Sequence, residues 1–598
     1  MVMNVVERML DRLWDLIRRR PWLSLAVLTA AQTACTLQSR ALWFSDEVRY
    51  ADAYAGLLRG RWLVLSLNGV AYPDKPPLYF WFLRALDALP GVSDPAVFFL
   101  GAALSGLFML YATLVWARVL GLEDETGAST GASTGASAGS SAGSSAGSSA
   151  GSSAGVMAGL LLLTTLFFAG LLHYSRMDLL FAALIIASQA AFCGAFGPFN
   201  GHGAMARRTW LCALAMVLAG LATLTKGPLG LLFPVVTTLL FLAWRGRARE
   251  FFRAQMLPGL AALLALVFSW IVAAYFVEGP GFLHKIFYEQ IFQRATKTFH
   301  HAEPFYFYAI AFPPCWLPWT LALFALPVRR LFAADFWRGL FAGRRVSSPR
   351  ADAHAWLWIS CLSGLGLLSL LSGKVVVYIL PQLAPLALLL ALALLDEERP
   401  RPWQRLWTAS GLLFLALAAA TTQAERFMPV PLSPTGQVPG AWAVAGGFAA
   451  CGLGLIALRR QNARRVLPAL ALLTVLWVLP ANQTLAPALD AIMSPKPQAD
   501  LMKAYAAKGY LPVAHDIYQG IYSYYLGGVV RETAGFNILD PLLAGQDVVL
   551  AIKKKHWDAW DTRPKGLTIV LEQWLAGQPY YVAVNHRVGA GPEPPPQP

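Results

Sequence analysis

Two adjacent carboxylates, Asp46 and Glu47, followed by Arg49 and Tyr50, stand in a polar stretch directly after an apolar run that begins near Pro21. The same stretch continues to Tyr72-Pro73-Asp74-Lys75-Pro76-Pro77, where the prolines restrict the backbone beside the Lys75 ammonium. A carboxylate that can take a proton and a held cation that can neutralise an anion suit displacement of a phosphate-type leaving group. The plainer readings are first-turn helix acids for Asp46 and Glu47, and a snorkelling side chain for Lys75. Three further fragments each place a cation in a short link between apolar runs: His173-Tyr174-Ser175-Arg176-Met177-Asp178, Thr225-Lys226-Gly227-Pro228, and Ser372-Gly373-Lys374 with Tyr378. With Lys75 and Arg294 these cations could supply the several positive donors that a pyrophosphate or phosphodiester group needs. Asp74, His300 and His301 are the candidate metal-ligating residues. The His pair with Glu303 matches the spacing of no closed site, so a divalent cation is optional and no cofactor is required.

The elements that must hold these groups are membrane spans. The chain has 598 residues, of which 57% are hydrophobic and 14% charged, with a mean hydropathy of +0.50, values too apolar for an ordinary soluble enzyme. Its formal charge of +15, from 48 Lys and Arg against 33 Asp and Glu, could suggest nucleic acid, but the basic residues cluster between alternate apolar runs. That is the positive-inside pattern, and it excludes nucleic acid as the reason for the charge. A ruler of about 20 apolar residues gives about thirteen spans. They begin near Pro21, Ala96, Val156, Leu179, Thr209, Leu229, Leu260, Phe305, Ala355, Val375, Leu406, Ala441 and Val466. With the amino terminus inside, the basic clusters fall on the cytoplasmic side, and Asp46, Arg176, Lys226, Arg294 and Lys374 all fall on the opposite face. The 6 cysteines lie in or beside apolar stretches without metal-ligand spacing and read as small core residues.

The expected organisation is a membrane part over residues 1–490, with a first outer loop at 42–95. Tyr50, Tyr54, Leu57 and Leu58 predict an interfacial amphipathic helix there. A Gly/Ala/Ser repeat at 121–155 reads as a flexible cytoplasmic linker. Residues 491–588 form a small α/β domain. Strands are expected at 509–514, 547–553 and 579–585, helices at 498–507 and 567–575, and an aromatic-rich helix or loop at 517–525. Residues 589–598 read as a disordered tail.

The run Ser45-Asp46-Glu47-Val48-Arg49-Tyr50-Ala51, then Gly60-Arg61-Trp62, Leu67-Asn68-Gly69 and the stretch from Tyr72 to Trp81, resembles the first outer loop of bacterial GT-C glycosyltransferases related to protein O-mannosyltransferases. The likeness is nearest to the lipid A aminoarabinose transferase branch. It continues through residues 175–178, 224–230, 301–307 and 372–381 into the tail around Tyr518-Gln519-Gly520 and Asn585. It implies a polytopic helical membrane protein with a GT-C fold and a small carboxyl-terminal α/β domain. It also implies a polyprenyl-phosphate-linked sugar as donor, transfer on the periplasmic face of a bacterial inner membrane, and inversion at the anomeric carbon. By this resemblance Asp46 is the general base or orients the acceptor, with Glu47 beside it and Asp178 in the same catalytic group. Lys75, Arg294, Lys374 and Tyr378 hold the donor phosphate, while Arg49, Tyr50, Tyr72, Arg176 and Lys226 contact substrates. Asp74-Lys75 carries a shorter acid than the Glu-Lys of that branch, which leaves the sugar and acceptor open.

The leading expectation is therefore a membrane glycosyltransferase moving 4-amino-4-deoxy-L-arabinose or another pentose or hexose to lipid A, another glycolipid, a glycan or a protein. A lipid or sugar transporter is the alternative from another class, although charges gathered at one face do not match its midplane signature. A glycan-binding structural or sensory protein is the third, with Tyr518, Tyr522, Tyr524 and Tyr525 as a sugar platform or as packing against the membrane part.

Overall fold

The computed structural model describes residues 2–122, 153–197, 205–293, 303–325, 332–335, 337–338, 348–395, 400–433 and 436–585. Most of the expected linker, the tail, Arg294, His300 and His301 lie outside them. Among the described residues, 8 helices are long and apolar enough to cross a membrane: Ala96–Val119, Asp178–Phe196, Met205–Lys226, Ala254–Glu278, Pro349–Leu370, Val376–Leu395, Pro402–Thr422 and Ala463–Met493. Ser153–Leu163, Leu229–Trp244 and Ala441–Ala457 are apolar but shorter. Two more of the expected spans are also short: Pro21–Thr33, with 13 residues, and Phe307–Cys315, with 9 residues and Pro313 and Pro314 inside it. Proline removes a backbone donor and crowds the preceding turn, so the second of these passes into a 3-10 turn at Trp319–Phe324.

One large apolar cluster runs through these helices, including Leu25, Trp116, Leu160, Ile186, Trp319, Trp356, Leu383 and Trp407, all almost fully buried. Several hydroxyl side chains inside the helices are satisfied locally. Thr113, Thr164 and Thr474, for example, each donate to a carbonyl four residues back, which removes the cost of an orphaned donor in an apolar setting.

Between Pro21–Thr33 and Ala96–Val119 the chain builds a folded layer instead of a plain connector. Helix Asp46–Leu58 starts on its two acids, where carboxylates complement the free amides of the first turn. A tight hairpin of β1 (Ser66–Leu67) and β2 (Val70–Ala71) and helix Leu78–Asp87 follow. The Asp46–Leu58 helix is not surface-lying as its spacing suggested. Tyr50, Tyr54 and Leu57 are buried in a second cluster with Tyr79, Phe80 and Phe98 below, and with Met502, Ile521 and Tyr522 of the carboxyl-terminal segment above. Only Leu58 of the expected apolar face stays exposed.

The carboxyl-terminal segment is a five-stranded mixed sheet with the order β4-β3-β5-β7-β6, formed by β3 (Leu511–His515), β4 (Arg531–Thr533), β5 (Val548–Lys553), β6 (Leu567–Leu575) and β7 (Gln578–Asn585). Strand β3 is parallel to both β4 and β5, whereas β7 is antiparallel to β5 and β6. One face packs on helix Lys496–Ala506 and the Asp46 helix; the other packs on helix Phe536–Gly545 and Trp557. Residues 567–575, expected as a helix, are a strand: Ala576 and Gly577 at positive φ turn the chain into a hairpin with β7. Partner pairing and the β-branched Thr568, Ile569 and Val570 decide against the helical period there.

Candidate active site

Four segments far apart in sequence meet at one end of the helices. The Arg176 guanidinium bridges two acids, with NH2 2.9 Å from Asp46 Oδ2 and Nε 3.0 Å from Asp178 Oδ2. Lys226 Nζ pairs with the other Asp178 oxygen, and the same ammonium lies 4.2 Å from the centroid of the Tyr378 ring. Acid, base, acid, base and aromatic ring therefore form one continuous line. Its local origins are simple: Asp46 and Asp178 are each the first residue of a helix, and Lys226 is the last residue of one, the ends that favour those charges.

Burial grades along this line. The Asp178 and Lys226 side chains are 2% and 6% exposed, while Asp46 is 27% exposed. Asp178 is thus committed to neutralising two cations in a dry setting, and Asp46 is the carboxylate of the line that an incoming hydroxyl can reach. Burial opposes the charge on Arg176, but Asp178 and Asp46 outweigh it and hold the guanidinium above its ordinary value. Arg49 is likewise raised, because Tyr72, Asp46 and Asp74 together overcome its burial. The Arg49 guanidinium lies 5.4 Å from the Tyr72 ring centroid and donates from Nε to the Gln519 carbonyl at 3.1 Å. Tyr50 is 2% exposed, edge-on to Tyr79 and Phe80, so its ring is part of the floor. Burial pushes its phenol well up, with the Asp46 charge adding.

Glu47, paired with Asp46 in the sequence reading, faces the other way. It is fully buried, and its two oxygens accept from Arg40 NH1 at 2.7 Å, Arg40 NH2 at 2.9 Å, the Trp43 amide at 2.9 Å and the Ser175 amide at 2.6 Å. With its acceptor sites engaged, the carboxylate ties the Asp46 helix to the Arg176 loop and has no face toward a substrate. Arg40 completes the clamp by donating to the carbonyls of Ala41 and His173, at 2.8 and 2.9 Å, and by lying 4.0 Å over the Trp43 ring. Sequence reasoning missed Arg40, whose only signal was a lone Arg at the outer end of an apolar run.

The remaining candidates sit around this core. Lys374, four residues before Tyr378, is buried and donates from Nζ to the carbonyls of Glu303, at 2.9 Å, and Leu371, at 2.5 Å. Asp74 and Lys75 are half-buried in the turn before helix Leu78–Asp87, and Tyr72 is buried with its amide on the Leu65 carbonyl at 2.8 Å. Among the described residues no three His, Cys, Asp or Glu side chains are grouped to hold a metal.

The carboxyl-terminal sheet closes over the Asp46 helix. Asp52 on that helix accepts from the Asn68 amide at 2.6 Å, and Asn68 in turn bonds the Val530 carbonyl at 2.7 Å and Ser523 Oγ at 2.9 Å. Gly520, at φ +78°, passes so close that a side chain there would lie 3.1 Å from Asp52 Oδ2, so a residue without Cβ is required for this approach.

No protein-family model matches the chain. It is 28% identical over 440 residues to the undecaprenyl phosphate-alpha-4-amino-4-deoxy-L-arabinose arabinosyl transferase of Pseudomonas paraeruginosa, covering 72% of this chain and 71% of that one. Its identity to the enzyme of the same description from Aeromonas salmonicida is 27% over 458 residues, with 75% and 74% covered. In three dimensions it matches ArnT from Cupriavidus metallidurans bound to undecaprenyl phosphate with a TM-score of 0.70, 18% identity, and coverage of 96% and 98%. That likeness gives the fold over nearly the full chain. This multi-pass membrane protein is a glycosyltransferase similar in sequence to the aminoarabinose transferases and in fold to ArnT.

Proposed function

We propose that the chain transfers a sugar from a polyprenyl-phosphate carrier to an acceptor at the periplasmic face of a bacterial inner membrane, with inversion at the anomeric carbon. The observation that carries this reading is the line from Asp46 through Arg176, Asp178 and Lys226 to Tyr378. It places one reachable carboxylate next to fixed positive charge at one end of the helices.

In the proposed reaction the acceptor hydroxyl or phosphate oxygen attacks the anomeric carbon from the side of Asp46, and a hydroxyl's proton passes to that carboxylate. The bond to the carrier phosphate breaks on the opposite side, and the departing polyprenyl phosphate is stabilised by Lys75, Arg294 and Lys374 with Tyr378. Arg176 orients Asp46, while Asp178 and Lys226 hold Arg176. No metal is needed for the balance of this step, because the leaving group is already a good anion. The aminoarabinose transferases that the chain is similar to support undecaprenyl phosphate as carrier and 4-amino-4-deoxy-L-arabinose as the sugar to try first, and the resemblance of the first loop points to lipid A or another outer-face glycolipid, glycan or protein as acceptor.

The test is reconstitution of the full chain with undecaprenyl-phosphate-linked sugars and lipid A. Expected is release of undecaprenyl phosphate coupled one-to-one to a sugar on the acceptor. Movement of the intact sugar lipid across sealed vesicles without release would instead support a transporter.

A further inference from the structure

In the carboxyl-terminal sheet the chain leaves β3 toward one face, where residues 516–530 pack against the Asp46 helix, and leaves β5 toward the other, where Trp557 packs. Two neighbouring parallel strands whose exits diverge leave a crevice at their carboxyl ends, the usual ligand position in open α/β sheets. What lines it here is charged and aromatic. Asp516 follows β3, Lys553 ends β5, and Lys555 and His556 come directly after it. His556 Nε2 lies 2.9 Å from Asp516 Oδ2 without the alignment of a hydrogen bond, and its side chain is 25% exposed. Lys553 Nζ is 5.8 Å from the centroid of the Tyr518 ring, and Tyr518 is 55% exposed.

The crevice adjoins the segment that carries Asp46. Lys553 pairs in register with Tyr580, and the Phe44 ring touches both Tyr580, at 6.5 Å, and Tyr518, at 6.0 Å. Phe44 stands two residues before Asp46, and Gln519, next to Tyr518, accepts through its carbonyl from Arg49 of the Asp46 helix. None of these cations belongs to the Asp46–Tyr378 line.

We propose that this crevice is an acceptor-docking subsite that takes an anionic sugar, its ring against Tyr518 and its phosphate or carboxylate on Lys553, Lys555 and His556. The inference rests on the reading of the chain as a sugar transferase whose acceptor arrives beside Asp46. An exposed aromatic face with cations at its edge fits a sugar ring bearing one anion, and a neutral sugar would forfeit the ionic half of that fit.

The experiment titrates N-acetylglucosamine 1-phosphate, glucuronic acid and neutral N-acetylglucosamine into the full chain in nanodiscs, by calorimetry and by NMR of labelled histidine. Undecaprenyl phosphate binding is measured in parallel. Expected are binding of the anionic sugars with a shift of the His556 resonances, and weak or no binding of the neutral one. Affinity should fall about tenfold in Tyr518→Ala and in Lys553→Gln, while undecaprenyl phosphate binds as before. The exposed Lys555→Gln variant serves as a second probe should either of those misfold. The phosphate and carboxylate arms distinguish which anion is preferred. Undecaprenyl phosphate binding without anionic-sugar binding, or anionic-sugar affinity unchanged in all three variants, overturns the docking site alone. Loss of undecaprenyl phosphate binding in the wild type strikes at the proposed function instead.

Discussion

At the scale of single residues, adjacent acids in the sequence have opposite fates. Asp46 stays reachable, while Glu47 is sealed under Arg40 and two backbone amides. Types and short links were enough to single out Asp46, Arg176, Asp178, Lys226 and Tyr378, because a charge confined between two apolar runs has few places to go. They could not tell which acid faces inward, since that depends on Arg40 reaching back across the loop. Arg40→Met should therefore act on folding. Leaving the Glu47 carboxylate buried and unpaired costs about 3–5 kcal/mol, read as a lower melting temperature in detergent. In the fraction that stays folded, the pH dependence of transfer should match wild type, whereas an Asp46 variant should alter it. A normal melting temperature for Arg40→Met would remove the clamp.

At the scale of elements, the apolar helices were legible from length and hydropathy, because a span has a nearly fixed size. The carboxyl-terminal sheet was legible only in part. Strands β3, β5 and β7 matched the apolar runs expected of them, but β4 has 3 residues, too few to signal in sequence, and β6 depends on its hairpin partner. The burial of the Asp46 helix was also hidden, because its cover comes from residues more than four hundred positions later. That cover should be pH-sensitive through Asp52. Burial raises its carboxyl from 3.8 to about 6, against the opposing Asn68 hydrogen bond, and Glu532 nearby is raised as well. A folded-state acid above its unfolded value binds more protons than the unfolded chain, so stability is greatest below about pH 4 with respect to this group and declines as pH rises to about 6. Asp52→Asn should be more stable than wild type by about 1–3 kcal/mol at pH 7.5 and lose that advantage near pH 4. Equal melting temperatures at both pH values would show that Asp52 ionises without cost.

At the scale of the whole molecule, the helices, the folded first loop and the sheet bring one set of charges to one end. On the proposed orientation, a membrane-impermeant maleimide should label Leu89→Cys and Lys565→Cys in intact spheroplasts and label Arg12→Cys only after lysis. Labelling of Leu89→Cys and Arg12→Cys from the same side would break the topology. The account as a whole stands on Asp46 acting beside a bound carrier phosphate. The most direct measurement is a single-turnover transfer assay of Asp46→Asn, with undecaprenyl phosphate affinity determined on the same protein. The predicted result is carrier affinity within about twofold of wild type and transfer slowed by about 10²-fold or more. Transfer at the wild-type rate by a folded, carrier-binding Asp46→Asn protein would contradict it.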